Sequence, residues 1–221
     1  MTRIKICGIT DVETASLCMR LGVDFIGLVF ADSRRRITPE QAVELTRTIL
    51  TQAKRPKIAG VFVNETAGKV NHTAEACHLD VIQLSGDEDG DYCGRITRPI
   101  IRATRIDQTS AAEEIQCRIA ATGARDIHLI DRHSPGSFGG SGQKFDWAIL
   151  ENLSPALKIM VAGGLTPENV EELILRYHPW GVDVSSGVES HGRKDPAKIM
   201  AFIRAVRQAD AKLKGVTNAA R

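Results

Sequence analysis

Short aliphatic runs recur eight times along the 221 residues, each followed by a stretch of helical pattern, and this alternation constrains the fold more than any other feature. The runs lie at 3–7, 24–29, 57–63, 80–84, 99–103, 126–130, 157–161 and 180–184. Helical patterns separate them at 12–21, 39–51, 67–77, 87–95, 110–121, 146–150 and 167–177, and a last one follows at 196–211. Strands alternating with helices imply βαβ units and a parallel sheet. Eight units without a Gly-, Ser- or Pro-rich linker predict an α/β fold: a single-domain (β/α)8 TIM barrel with a parallel eight-stranded barrel. The expected barrel domain is 1–213, and KGVTNAAR (214–221) reads as a flexible C-terminal tail. Two helix starts carry capping signals: Thr10-x-x-Glu13, and Thr166 before Pro167.

Charge and cysteine content exclude several roles. The 29 basic and 27 acidic residues leave a formal charge of +2, which argues against a nucleic-acid or membrane-surface partner. The basic triplet Arg34-Arg35-Arg36 is then either a solvated loop or a contact for a small anion. Five cysteines, an odd number with no C-x-x-C pair, give neither zinc spacing nor a disulfide framework. The start MTRIKICGIT has no apolar core of a signal peptide, and no run approaches the ~20 apolar residues that span a bilayer. A cytoplasmic setting is expected. The six histidines are scattered, and no metal is expected.

In a barrel the catalytic groups gather at the C-terminal strand ends, and alternate side chains point into the lumen. Arg3, Lys5 and Cys7 share one parity, while Ile4 and Ile6 share the other and should face the helices. Cys7 is then expected in the lumen at the active end. Asp131 falls just past the sixth strand, and Asp183 lies in the eighth, with Ser185 on its parity. Arg102 lies near the end of the fifth strand. Taken alone, Cys7 reads as a small core residue rather than a reactive one, and Asp131 reads as a loop or capping aspartate as readily as a functional one.

Glycine-bearing segments follow the last two strands. VAGGLTPENV (161–170) presents Gly163 and Gly164, whose backbone amides can approach an anion closely. DVSSGVE (183–189) presents Ser185, Ser186 and Gly187, with hydroxyls and amides at the start of a short helix. Either segment alone is also an ordinary tight turn. At consecutive strand ends they match a recurrent barrel phosphate site. A third segment, SPGSFGGSGQKFDW (134–147), is either a surface loop or a lid that closes over a substrate and excludes water.

KICGIT, the GVFVN strand end, LIDRHSPGSFGGSGQKFDW, VAGGLTPENV and VDVSSGVESHGRKD occur in one order from residue 3 to about residue 203. Together they make the chain resemble the phosphoribosylanthranilate isomerase family of tryptophan biosynthesis. The resemblance implies an isomerase that carries out an Amadori rearrangement of N-(5'-phosphoribosyl)anthranilate by general acid–base catalysis, with no cofactor. The implied ligand is this small phosphorylated substrate, and the implied state is monomer or homodimer. Cys7 matches the family's general base and Asp131 its general acid. Arg35 aligns with the arginine that meets the anthranilate carboxylate, with Arg34 and Arg36 as alternatives because the loop is one residue short. Asp183 matches an aspartate near the substrate's amine or ribose hydroxyls, and Gly163, Gly164, Ser185, Ser186 and Gly187 match the phosphate loops.

Those roles carry physical requirements. An ordinary thiol titrates near about 8.5, so Cys7 needs its thiolate stabilised, by amides of the following turn or by Lys5. A proton-donating Asp131 needs the opposite, a pKa raised from about 3.9. One departure stands out. The family commonly has QLHG after the fourth strand, whereas this chain has QLSG, with Ser85 in the histidine's place. Two rivals remain open at this level: another phosphate-binding barrel enzyme, and a barrel that binds phosphate without catalysis. A histidine-biosynthesis isomerase would be expected to carry an aspartate where Cys7 stands.

Overall fold

Eight parallel strands close on themselves in chain order: β1 (Arg3–Cys7), β2 (Phe25–Val29), β3 (Lys57–Phe62), β4 (Val81–Leu84), β5 (Ile100–Ile106), β6 (Ile127–Arg132), β7 (Lys158–Val161) and β8 (Gly181–Val184). The computed structural model describes residues 1–106, 112–120, 127–132, 147–154 and 156–219. The helices are α1 (Val12–Arg20), α2 (Pro39–Leu50), α3 (Ala67–Ala76), α4 (Gly90–Cys93), α5 (Ala112–Ala120), α6 (Val170–Tyr177) and α7 (Pro196–Ala219). The chain is thus the (β/α)8 barrel the alternation predicts.

Register explains how one strand serves two cores. Lys5 lies opposite Phe25 and Asp183, and Cys7 opposite Gly27. Leu129 lies opposite Met160, and Arg105 opposite Asp131. Because successive side chains alternate across a strand, these residues share the lumen face. Phe25, Ala59, Val81, Ile101, Leu129 and Met160 fill the lumen as one buried cluster. Ile4, Ile6, Ile26, Leu28, Ile58, Ile82 and Val182, on the opposite parity, belong to a larger core shared with the helices. The expected burial of Ile4 and Ile6 against the helices therefore holds, as does the inward direction of Cys7.

Several boundaries differ from the sequence reading, each for a local reason. The first helix is capped by Asp11, whose carboxylate accepts from Thr14 N at 2.7 Å, so Thr10 is not the cap. The seventh helical segment starts at Val170, because residues 166–169 form a tight turn in which Thr166 Oγ1 accepts from Glu168 N at 3.3 Å. A 3-10 helix, Trp147–Asn152, stands at the 146–150 segment. The fourth helix shrinks to Gly90–Cys93. β5 runs to Ile106, three residues past its expected end. The last helix continues to Ala219, through the start of the segment expected as a tail.

Candidate active site

One cavity at the C-terminal mouth of the barrel is lined by Cys7, Asp131 and Asp183, by Gly163, Gly164, Ser185, Ser186 and Gly187, and by Arg35. Every site residue expected from the sequence therefore borders a single space. Arg36 borders a neighbouring groove with Phe30 and Phe62 instead, and Arg34 is exposed. The 134–146 part of the glycine-rich segment lies outside the described residues.

Cys7 ends β1 with Val29 and Val61 beside it and is 9% exposed. Gly27 makes room for it: a Cβ there would stand 2.8 Å from the Cys7 Sγ. The following turn, one of the two expected sources of thiolate stabilisation, is engaged elsewhere. Gly8 N and Ile9 N both donate to the Gly27 carbonyl, at 2.9 and 3.0 Å. Burial pushes the Cys7 thiol above its ordinary value, Lys5 pulls it back, Asp183 pushes it further up, and Lys194 pulls it back again. Lys5 is thus one cation near the thiol, and Lys194 is a second that sequence reading did not single out.

Lys5 is fully buried and donates to Asp183 Oδ2 at 2.8 Å. Burial works against its charge, but Asp183 and Cys7 outweigh that and hold the ammonium above its ordinary value. Asp183 Oδ1, also buried, has no hydrogen-bond partner among the described residues. A buried acceptor without a donor is costly, so this oxygen suits a donor that a ligand brings.

Lys194 arrives by a route that local sequence hides. After β8 and a 3-10 helix (Ser186–Val188), the strands Glu189–Ser190 and Arg193–Lys194 pair antiparallel, with Lys194 opposite Glu189. The turn between them uses His191 at φ 50° and Gly192 at φ 79°. Two positive φ values in succession fit the twist of a tight hairpin. Lys194 Nζ donates to the Ser185 carbonyl at 2.9 Å and to Glu189 Oε1 at 2.8 Å. Ser185 Oγ donates to the Cys7 carbonyl at 3.0 Å, so this hydroxyl braces the strand end that bears Cys7 as well as bordering the cavity.

The two glycine loops interlock. Gly163 and Gly164 have φ of +81° and +68°, a region that side chains disfavour. A Cβ on Gly187 would lie 1.8 Å from the Leu165 carbonyl oxygen. Gly187→Ala must therefore push the loops apart. Displacing by about 1 Å a loop expected to bind phosphate can cost ~100-fold in kcat/KM. The variant is expected to lose about that much, chiefly through KM, with weaker competitive inhibition by inorganic phosphate. Loss of thermal stability with an unchanged KM would leave Gly187 as a packing residue only.

Strand β5 corrects another expectation. Arg102 points outward, donating to the Glu88 carbonyl and, at 3.1 Å, to Cys93 Sγ. The cation that β5 brings to the mouth is Arg105, on the parity of Ile101 and Ala103. Ending the strand at 103 hid it. On β4, Gln83 and Ser85 border the cavity, and Gln83 Nε2 donates to Ser85 Oγ at 3.1 Å. Gln83 Oε1 is buried with no partner among the described residues.

Known proteins share this sequence pattern and fold. The profile of a family described as N-(5'phosphoribosyl)anthranilate (PRA) isomerase matches residues 4–205. The N-(5'-phosphoribosyl)anthranilate isomerase of Dehalococcoides mccartyi is 45% identical over 214 residues, 95% of this chain and 98% of that protein. The crystal structure of phosphoribosyl anthranilate isomerase from Thermotoga maritima superposes with a TM-score of 0.83 at 32% identity, covering 94% of this chain and 100% of that one. A crystal structure of the same type of enzyme in complex with reduced 1-(o-carboxyphenylamino)-1-deoxyribulose 5-phosphate gives a TM-score of 0.77 at 31% identity, covering 94% of this chain and 100% of that one.

Proposed function

This chain belongs to the N-(5'-phosphoribosyl)anthranilate isomerase family, and from that membership we propose how its barrel mouth performs the reaction. The protein is an isomerase of tryptophan biosynthesis, converting N-(5'-phosphoribosyl)anthranilate to 1-(o-carboxyphenylamino)-1-deoxyribulose 5-phosphate. Asp131 acts as the acid. It protonates the ribose ring oxygen, and the C1–O bond breaks to leave a protonated imine at C1. Cys7 acts as the base. Its thiolate removes the C2 proton, and the electron pair moves into the C1–C2 bond to give an enolamine, which tautomerises to the 2-ketone.

Gly163, Gly164, Ser185, Ser186 and Gly187 hold the phosphate, Arg35 meets the anthranilate carboxylate, and Asp183 accepts from the amine or a ribose hydroxyl. The observation that supports the set best is their shared cavity, with two interlocked glycine loops on one side and both titratable groups facing inward. The aligned arginine, Arg35, borders that cavity, whereas Arg34 and Arg36 do not. Asp183 has a bare buried oxygen to offer. Arginine suits a carboxylate because its planar fork can make two parallel bonds. The phosphorylated substrate is the ligand, and the proposed state is monomer or homodimer in the cytoplasm. Among the described residues no helix is long and apolar enough to cross a membrane. The catalytic domain is proposed to be the barrel, 1–213.

The direct test follows the fluorescence of phosphoribosylanthranilate in a coupled assay with purified protein. Loss of the signal in proportion to enzyme is expected; a flat trace would overturn the assignment. Where relatives commonly carry histidine, Ser85 is proposed to position substrate through Gln83. One hydrogen bond is worth about 1 kcal/mol, so Ser85→His is expected to change KM by about 2- to 10-fold with a smaller effect on kcat. Turnover and affinity that both stay unchanged would remove any positioning role.

A further inference from the structure

We propose that Glu189 is a positioning residue: it holds the Arg35 guanidinium in the plane from which it meets the substrate's aryl carboxylate, and Lys194 ties that pair to the strand end bearing Cys7. The inference rests on the role given to Arg35 above. Glu189 is buried, with 4% of its side chain exposed. It accepts from Arg35 Nε at 2.6 Å on one oxygen and from Arg35 Nη2 at 3.0 Å on the other. Two parallel bonds fix both the position and the tilt of a planar group. Neither bond uses Nη1, which makes no hydrogen bond among the described residues, and Arg35 borders the cavity.

The stem of Arg35 is held as well. A Cβ on Gly8 would stand 2.4 Å from Arg35 Cδ, so the glycine after Cys7 lets the arginine cross its backbone. Arg34 Nη2 adds a third contact to Glu189 at 2.7 Å. Burial opposes the Glu189 charge, but hydrogen bonds from Arg35 and Lys194 outweigh it and keep the carboxyl below its ordinary value. The carboxylate stays ionised, so the fork stays closed. Lys194 bonds Glu189 on one side and both Ser185 oxygens on the other, and the Ser185 hydroxyl bonds the Cys7 carbonyl. The group that recognises the aryl carboxylate is thereby linked through three residues to the group that takes the proton.

The test compares two ligands on the full chain by calorimetry: the reduced product analogue that bears the o-carboxyl group, and its phenylamino counterpart without it. Charge-assisted bonds are about twice as strong as neutral ones, so wild type is expected to prefer the carboxylate by about 10- to 100-fold. Glu189→Gln, which keeps one acceptor oxygen of two, is expected to reduce that preference about 10-fold. The double variant Glu189→Gln/Lys194→Met, which restores local charge balance, is expected to show the same loss and reads the ratio even where the single variant folds poorly. Equal weakening of both ligands would make Glu189 merely structural and overturn the proposal. A preference that rises, because Arg35 is no longer shared, would overturn it too. So would an unchanged ratio in Glu189→Gln alongside a ratio abolished in Arg35→Gln, with the Arg35 role surviving. If Arg35→Gln also leaves the ratio unchanged, the Arg35 role fails first and the Glu189 proposal with it.

Discussion

Cys7→Ala is expected to lower turnover by about 100- to 10,000-fold, the usual contribution of a general base, while leaving the barrel folded. The substitution removes one sulfur atom from the cavity wall and leaves the lumen cluster and the helix-side core intact. Its pH profile carries more information than its magnitude. A base works only when deprotonated, and kcat/KM reports the free enzyme. Burial raises the thiol above its ordinary value, so the limb of kcat/KM that rises with pH is expected to extend to the alkaline side of an ordinary thiol. Lys194 opposes that rise, so Lys194→Met is expected to move the limb further up. Near-normal turnover in Cys7→Ala, or a limb that ignores Lys194, would reject the role for the thiol. A raised pKa is not fatal to a base: fewer molecules carry the thiolate, but each thiolate binds its proton more strongly.

Asp131→Asn is expected to cost a comparable 100- to 10,000-fold, because an amide can hold a hydrogen bond to the ring oxygen but cannot deliver a proton. Asp131 ends the inward face of β6 and stands in register with Arg105 on β5. The isostere keeps the shape, so binding of the reduced product analogue, which needs no ring opening, should change far less than turnover. Substrate depletion in Asp131→Asn at the wild-type rate would show that another group protonates the ring oxygen. Equal losses in turnover and analogue affinity would recast Asp131 as a binding residue.

Much of this was legible in the chain. All eight strands were, because a barrel strand is apolar on its helix side, and that side alternates with a face that must fit the lumen. Alternation alone put Ile4 and Ile6 outside and Cys7 inside. The fifth strand was ended at 103, so Arg102 was noted near its end and Arg105, beyond it, was missed. Glu189 and Lys194 escaped for a different reason. Their proximity to Cys7 depends on the chain's return through a hairpin after β8 and on closure of β8 against β1, neither of which leaves a periodic mark. The His191-Gly192 pair was the available clue, a two-residue turn between short polar strands. The turn amides after Cys7 were misjudged because the Gly27 carbonyl, which takes both of them, belongs to another strand.

The buried Lys5–Asp183 pair sits one inward position deeper than Cys7, beside a lumen packed by Phe25, Ala59, Val81 and Leu129. Seen from the thiol, the barrel is therefore stoppered from below. Removing one partner of such a pair typically costs about 3–5 kcal/mol of stability. Among the described residues, Cys7 lines the cavity at the barrel mouth, the opening proposed for the substrate. A hydrogen that Cys7 takes from C2 is then expected to mix with the ammonium protons of Lys5 as well as with water entering at the mouth, which a label-exchange experiment would read.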